Sequence, residues 1–396
     1  MESRRASSLI SLVALVAIGC GGEDEPAGSS VPANAAEAVS TYAEMVHASY
    51  EDSLITARTL DAAATALVAN PSAATHTAVQ AAWRAAREPY LQTEVYRFYG
   101  GPIDDEQDGP EGLINAWPLD EGHIDYVEGA PDIGIINDPQ RPINAASLSA
   151  ANLNPGETDV ATGYHAIEFL LWGQDLNDEG PGQRPFTDYA LDASATMANQ
   201  DRRGAYLTTA SELMLGNLAD LVDAWAPNSA GNYRSSFEDA APADALGRIL
   251  SGMIILSGFE LAQERLSAAL DAQDQEEEHS CFSDNTHRDM VQDVQGIQNV
   301  WLGSYAPLQG AAVSGTSLRD VIAEGDAALA GQITSQIAES LSLAKAIQPP
   351  FDQEIAPGNA AGNARVEALI EALTDQTELL ERAFELYGLN RIPDPV

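Results

Sequence analysis

Apolar residues recur at three- and four-residue spacing through most of the chain, and that period restricts the fold to packed helices. From Ala35 onward, Val39, Tyr42, Met45, Val46 and Tyr50 trace one stripe. The runs 72–98, 158–172, 203–225, 244–271, 286–306, 317–347 and 362–387 carry the same pattern. β-branched alternation is nearly absent, and abundant alanine favours helices and lets them approach closely. Pro and Gly gather at 100–118, 129–156, 173–185 and 226–242, which marks these as the long connections where function tends to sit. With 396 residues, 45% of them hydrophobic, the chain is too long for one ordinary core. The expectation is an all-α fold of two helical bundles, 35–235 and 236–396.

An internal echo supports two related bundles. Val79-Gln80-Ala81-Ala82-Trp83 with Pro89 recurs as Ile297-Gln298-Asn299-Val300-Trp301 with Pro307, both tryptophans and both prolines offset alike. Phe169-Leu170-Leu171-Trp172-Gly173 is echoed by Phe384-Glu385-Leu386-Tyr387-Gly388 at nearly the same offset.

Arg4, Arg5, the apolar stretch Leu9 to Ile18 and Gly19-Cys20 read as an export signal over 1–20, too short to span a bilayer. The pattern resembles a bacterial lipoprotein signal, although Ala17 stands where Leu is commoner. It makes Cys20 the acylated N-terminus of an outer-membrane lipoprotein, on a flexible tether over 21–34. The second cysteine, Cys281, then has no disulfide partner and reads as a small buried hydrophobe. Lys+Arg 19 against Asp+Glu 60 gives a net charge of −41, which excludes nucleic acid as a partner and leaves cations plausible. Glu276-Glu277-Glu278 reads as a solvated loop.

The second half has Leu380 and Ala383 where the first carries His165 and Glu168, so the fold alone does not require that polar pair. Three-residue spacing on a helix puts imidazole and carboxylate on one face, either as two ligands to one cation or as a hydrogen-bonded pair. As an isolated pattern His-x-x-Glu is weak, and on this segment alone a buried His satisfied by its neighbour is the favoured reading.

The company of that pair is more specific. Gly163-Tyr164-His165-Ala166-Ile167-Glu168 lies in one chain with Trp83, Arg87 and Glu94, Arg97-Phe98, Gly101-Pro102-Ile103-Asp104 and Asn115-Ala116-Trp117-Pro118-Leu119-Asp120-Glu121. Further on comes His279-Ser280-Cys281-Phe282-Ser283-Asp284-Asn285-Thr286-His287. Together these resemble the imelysin-like family, also called insulin-cleaving metalloproteinase-like, whose signature is Gly-x-His-x-x-Glu. The resemblance spans nearly the whole mature chain. It implies an all-α fold of two duplicated bundles, a cell-envelope location and a role in iron acquisition with possible iron-uptake partner proteins. The related periplasmic component of ferrous-iron uptake systems has the same His-x-x-Glu pair and acidic positions matching Glu94 and Asp120.

A zinc peptidase usually needs a second histidine one turn away and an open coordination position. Neither His-Glu-x-x-His nor His-x-x-Glu-His occurs here, so metal binding ranks above proteolysis. The expected site is His165 and Glu168 with Glu94 and Asp120 as further ligands, holding iron, with zinc as the alternative. If the chain is a peptidase, His165 and Glu168 are its catalytic pair. The ligand is the metal ion or an iron-containing ligand, and the membrane is met through the lipid anchor.

Glu94 reads equally as an ion-pair partner of Arg97 or Arg87, and Arg87 as an anion contact or a neutraliser of carboxylates. Ser283-Asp284-Asn285-Thr286 reads as a helix start capped by Ser283 or Asp284, with Ser283 the preferred cap. The alternative is that Ser283, Asp284 and His287 reach across to the His165 face. A surface lipoprotein with His165 as a satisfied core residue is the third reading.

Overall fold

The computed structural model describes residues 31–177 and 180–389. The signal, Cys20 and the tether as far as Ser30 lie outside the described residues.

The chain is mostly helical, as its apolar period requires. The stripe on α1 (Ala35–Ala69) is buried at Val39, Tyr42, Met45, Val46 and Tyr50. α2 (Ala73–Leu91) starts on a capping box between Ser72 and Thr75. Short helices α3 (Glu111–Ile114), α4 (Glu121–Ile124) and α5 (Ala145–Ala151) interrupt the Pro/Gly-rich connections. There follow α6 (Gly163–Trp172), α7 (Gln200–Ala224) and α8 (Tyr233–Asp239). α9 (Pro242–Ile255) runs through a π-helical stretch, Leu256–Ser267, into α10 (Ala268–Ala272). The remainder is α11 (Thr286–Leu302), α12 (Leu318–Gly325), α13 (Ala327–Ala344), α14 (Phe351–Ile355) and α15 (Ala360–Leu386). Among the described residues the strands are β1 (Ser304–Tyr305) and β2 (Val313–Ser314), antiparallel with Tyr305 opposite Val313.

α1 packs on α2 and α7, and α6 packs on α2 and α7. In the second half α15 packs on α13, α9 and the π-helical stretch, and α11 packs on α13. α2 against α11 and α1 against α9 join the two groups, and the apolar core runs unbroken from one to the other. The Pro242–Ala272 helix is long and apolar enough to cross a membrane, but 78% of its most apolar window is buried inside the protein.

Three sequence expectations change here. The helix expected over 72–98 stops at Leu91, so Glu94 opens a separate 3-10 turn, Glu94–Tyr96, instead of sharing a helix with Arg87. The run 317–347 is two helices, because Asp326 leaves the helical conformation and its side chain caps α13 at Leu329 N–H. Glu276 and Glu277 are exposed, but Glu278 is buried.

Trp83 and Trp301 are both buried, each donating its indole N–H, to Tyr164 O and to Thr334 Oγ1. Pro89 lies inside α2 whereas Pro307 lies beyond the end of α11, so the first echo parts company at the prolines. In the second echo, Gly173 and Gly388 both follow a helix C-terminus at positive φ, 72° and 56°.

Candidate ligand site around His165

α6 is a ten-residue helix whose every residue is buried. Its first residue, Gly163, has φ 86°, and a Cβ there would sit 2.4 Å from Ile114 O. The glycine of Gly-x-His-x-x-Glu therefore lets the helix begin hard against the end of α3, which fixes where His165 and Glu168 emerge.

His165 Nδ1 and Glu168 Oε2 are 2.9 Å apart, and both side chains are fully buried. Glu168 Oε1 accepts from Ser283 N–H at 3.0 Å and Ser283 Oγ–H at 2.6 Å. This corrects the expectation for Ser283. Asn285 occupies the N-cap position of α11, and Ser283 binds Glu168 across the molecule. Arg84 in turn donates to Ser283 O at 2.9 Å, holding the loop to α2.

A second imidazole stands beside the first. The His279 and His165 rings are 4.8 Å apart between centroids, and His279 Nδ1 lies 2.9 Å from Asp289 Oδ2. Asp289 also accepts from Ser280 Oγ at 2.6 Å, Asn285 Nδ2 at 3.0 Å and Arg87 Nη2 at 3.0 Å. Arg87, fully buried, gives its other arm to Asn115 Oδ1 at 2.5 Å and lies over the Trp83, Tyr90 and Tyr164 rings. The half-buried Trp117 ring lies 5.0 Å from His165 and 5.9 Å from Phe282, on the partly exposed side of the site.

Electrostatics follow from burial and from Arg87. Burial raises the Glu168 carboxyl to about 8, with Ser283 and Arg87 opposing. Burial, reinforced by Arg87, pushes His165 well below its ordinary value. At neutral pH the pair is therefore an uncharged imidazole and a protonated carboxyl, in which Glu168 Oε2–H donates to His165 Nδ1. Burial and the Arg265 charge lower His279 to about 4, against the pull of Asp289. Burial opposes ionisation of Asp289, yet Arg87 and His279 hold it far below the carboxylate range. His165 Nε2 is buried and has no hydrogen-bond partner among the described residues.

The other expected ligands lie elsewhere. Glu94 Oε2 accepts from Arg97 Nη1 and Arg265 Nη2, each at 2.7 Å. Burial works against its charge, but those two guanidinium groups bring it down to about 2. The ion-pair reading with Arg97 thus describes its observed contacts. Asp120 is exposed and caps α4 through Gly122 N–H at 2.9 Å. Asp284, at φ 56°, lines a surface cleft of about 480 Å³ with Arg84, Glu88, His287 and Arg288. Burial, with Asp175 and Asp352 nearby, raises it to about 7. Cys281 is buried, and burial with Glu168 pushes its thiol well up. Among the described residues no group of three or more His, Cys, Asp or Glu side chains is placed to hold a metal ion.

His279 and Asp289 were missed as site residues. His279 stands in the quoted run, but no spacing ties it to His165, more than a hundred residues earlier.

Two helical groups meet over a buried His-Glu pair, opposed by a His-Asp-Arg cluster from the other half, in a mostly helical protein with a polar site at its centre. The chain belongs to the imelysin family, whose model, Peptidase_M75, matches residues 46–380. It is 26% identical over 322 residues to iron-regulated protein A of Synechococcus elongatus, covering 79% of this chain and 75% of that one. A crystal structure described as an iron-regulated protein A precursor, from Parabacteroides distasonis, aligns with TM-score 0.70 at 19% identity, covering 91% of this chain and 97% of that chain. An imelysin-like protein from Psychrobacter arcticum aligns with TM-score 0.63 at 15% identity, covering 92% and 99%. These two share the fold.

Proposed function

We propose that this chain is an exported imelysin-family protein that takes up iron as cargo, as the ion or in an iron-containing ligand, around His165 and Glu168. The observation that carries the reading is the buried, unpartnered Nε2 of His165. Once Glu168 gives up its proton, His165 Nδ1–H can donate to the carboxylate and leave the Nε2 lone pair for a cation, the arrangement that metal-binding histidines adopt. His279 on Asp289 repeats the carboxylate half of it 4.8 Å away. In this reading Glu168 and Asp289 orient the imidazoles, and two nitrogen donors suit borderline iron or zinc better than hard Ca²⁺.

The fixed charge of Arg87 beside these rings, and the lack of a three-ligand group among the described residues, favour iron that brings its own oxygen donors. The name of the Synechococcus relative supports a link to iron through regulation. The zinc-endopeptidase reading needs further protein ligands and a general base, and neither His-Glu-x-x-His nor His-x-x-Glu-His occurs in the chain.

Elemental analysis of the purified full chain after incubation with Fe²⁺, and with ferric citrate, tests this. Iron should be retained by the wild type and its affinity should fall about 10-fold or more in His165→Ala and in Glu168→Ala, a loss typical even of orienting residues. Retention unaffected by either substitution makes the pair structural. Chelator-sensitive peptide cleavage that vanishes in Glu168→Gln installs the peptidase.

Two further parts of the reading rest on sequence. Outer-membrane anchoring rests on the 1–20 signal and Cys20, and Cys20→Ser should abolish fatty-acid labelling and release the protein. Internal duplication rests on the paired echoes; superposing the halves without bringing Trp83 onto Trp301 removes it.

A further inference from the structure

Arg184 lies outside the site just described and closes the other end of α6. Its backbone N–H donates to Trp172 O at 2.7 Å. Its side chain is 1% exposed, with Nη1 2.6 Å from Asp125 Oδ2 and 3.5 Å from Asp188 Oδ2. The guanidinium also lies over Tyr126 at 4.8 Å and Phe169 at 5.1 Å. Nε and Nη2, which together form the edge that grips a carboxylate, have no partner among the described residues. A buried guanidinium edge without acceptors is costly, and water or an incoming acceptor relieves that cost.

Arg184 also lines a cavity of about 410 Å³, with Tyr126, Trp172, Gly173, Gln174 and Leu176 among the other described lining residues. Gly173 keeps the wall thin: a Cβ there would come 3.4 Å from Arg184 Nε. Leu176 is 61% exposed, leaving an apolar side chain at the rim. The charge beneath the cavity is balanced, since Arg203 binds both oxygens of Asp125, at 2.6 and 3.0 Å, and leaves Arg184 with donors to spare. Among the described lining residues, Arg184 and Glu128 are the charged ones, and Glu128 is exposed.

We propose that this cavity binds a small organic carboxylate, seated side-on against Arg184 Nε and Nη2, with its apolar body against Tyr126, Trp172 and Leu176. The site is separate from His165 and stands independently of the iron reading. Trp172 gives it an intrinsic fluorescence signal.

The test is calorimetric titration of the full chain with a panel of aliphatic and aromatic monocarboxylates, each beside its own amide. At least one acid should bind about 10-fold or more tightly than its amide, the scale of one charge-assisted hydrogen bond. Leu176→Glu, at an exposed position, should weaken that acid about 10-fold by placing a like charge at the rim, and Arg184→Lys should erase the preference for acid over amide. The proposal is overturned if no acid outbinds its amide, or if Leu176→Glu, folded by circular dichroism, binds the acid like the wild type. Should Arg184→Lys fail to fold, the Leu176→Glu comparison decides.

Discussion

Ser283 gives two hydrogen bonds to one oxygen of a buried carboxyl, and Ser283→Ala removes the shorter while leaving the backbone N–H in place. That change should cost about 1–2 kcal/mol in urea denaturation; no loss would mean that Glu168 rearranges freely. Glu168 itself predicts a pH dependence for the metal-free protein. Folded, it holds its proton to about 8; unfolded, it loses it near 4.5. The folded state binds the extra proton between those values, so this contribution is full below about 4.5 and lost as pH rises through about 8. Denaturation in EDTA should therefore show wild-type stability falling relative to Glu168→Gln as pH rises from about 4.5 to about 8, and levelling off above that. A constant gap would mean that Glu168 is ionised in the fold. The His-x-x-Glu pair was legible because a three-residue spacing on a helix forces proximity. Its partners were not, because Ser283 and His279 are brought to it by tertiary packing alone.

Among the helices, α6 illustrates how a local signal can carry a positional demand. Gly163→Ala adds both a left-handed φ penalty and a contact that backbone at Ile114 cannot yield. It should destabilise by about 3 kcal/mol or more, read as a lowered thermal midpoint, and weaken whatever His165 binds. A fold-neutral Gly163→Ala would show that the start of α6 is not held against α3. The long helices were legible from the apolar period, whereas the short α3, α4, α5, α8 and α14 lie outside the runs it marked, and helix ends depended on local chemistry. Gly325-Asp326 is a stop followed by a cap, and reading it as such would have split 317–347. The π-helical stretch has no comparable sequence mark, since its apolar face is close to that of an α-helix.

At the scale of the whole molecule, the seam between the helical groups is polar at its centre, with charged pairs that span it. Arg87 of α2 meets Asp289 of α11, and Glu94 meets Arg265, which also binds Asp293 at 2.9 Å. Sequence could place these charges on helices but could not match them, because each pair joins residues remote in the chain. Their burial makes the two halves thermodynamically dependent. Removing Asp289 alone leaves the Arg87 charge buried without its carboxylate, a loss of about 3–5 kcal/mol, whereas removing both charges eliminates the unpaired ion as well. Asp289→Asn and Arg87→Met should each be strongly destabilising, and the double variant should be more stable than the sum of the two losses by about 1 kcal/mol or more. Because the apolar core also crosses the seam, tryptophan fluorescence and far-ultraviolet circular dichroism should follow one coincident transition in every variant that folds. Additive losses, together with two separable transitions, would mean that the halves are independent units and that the His165 site, assembled from both, is held together by something other than this seam.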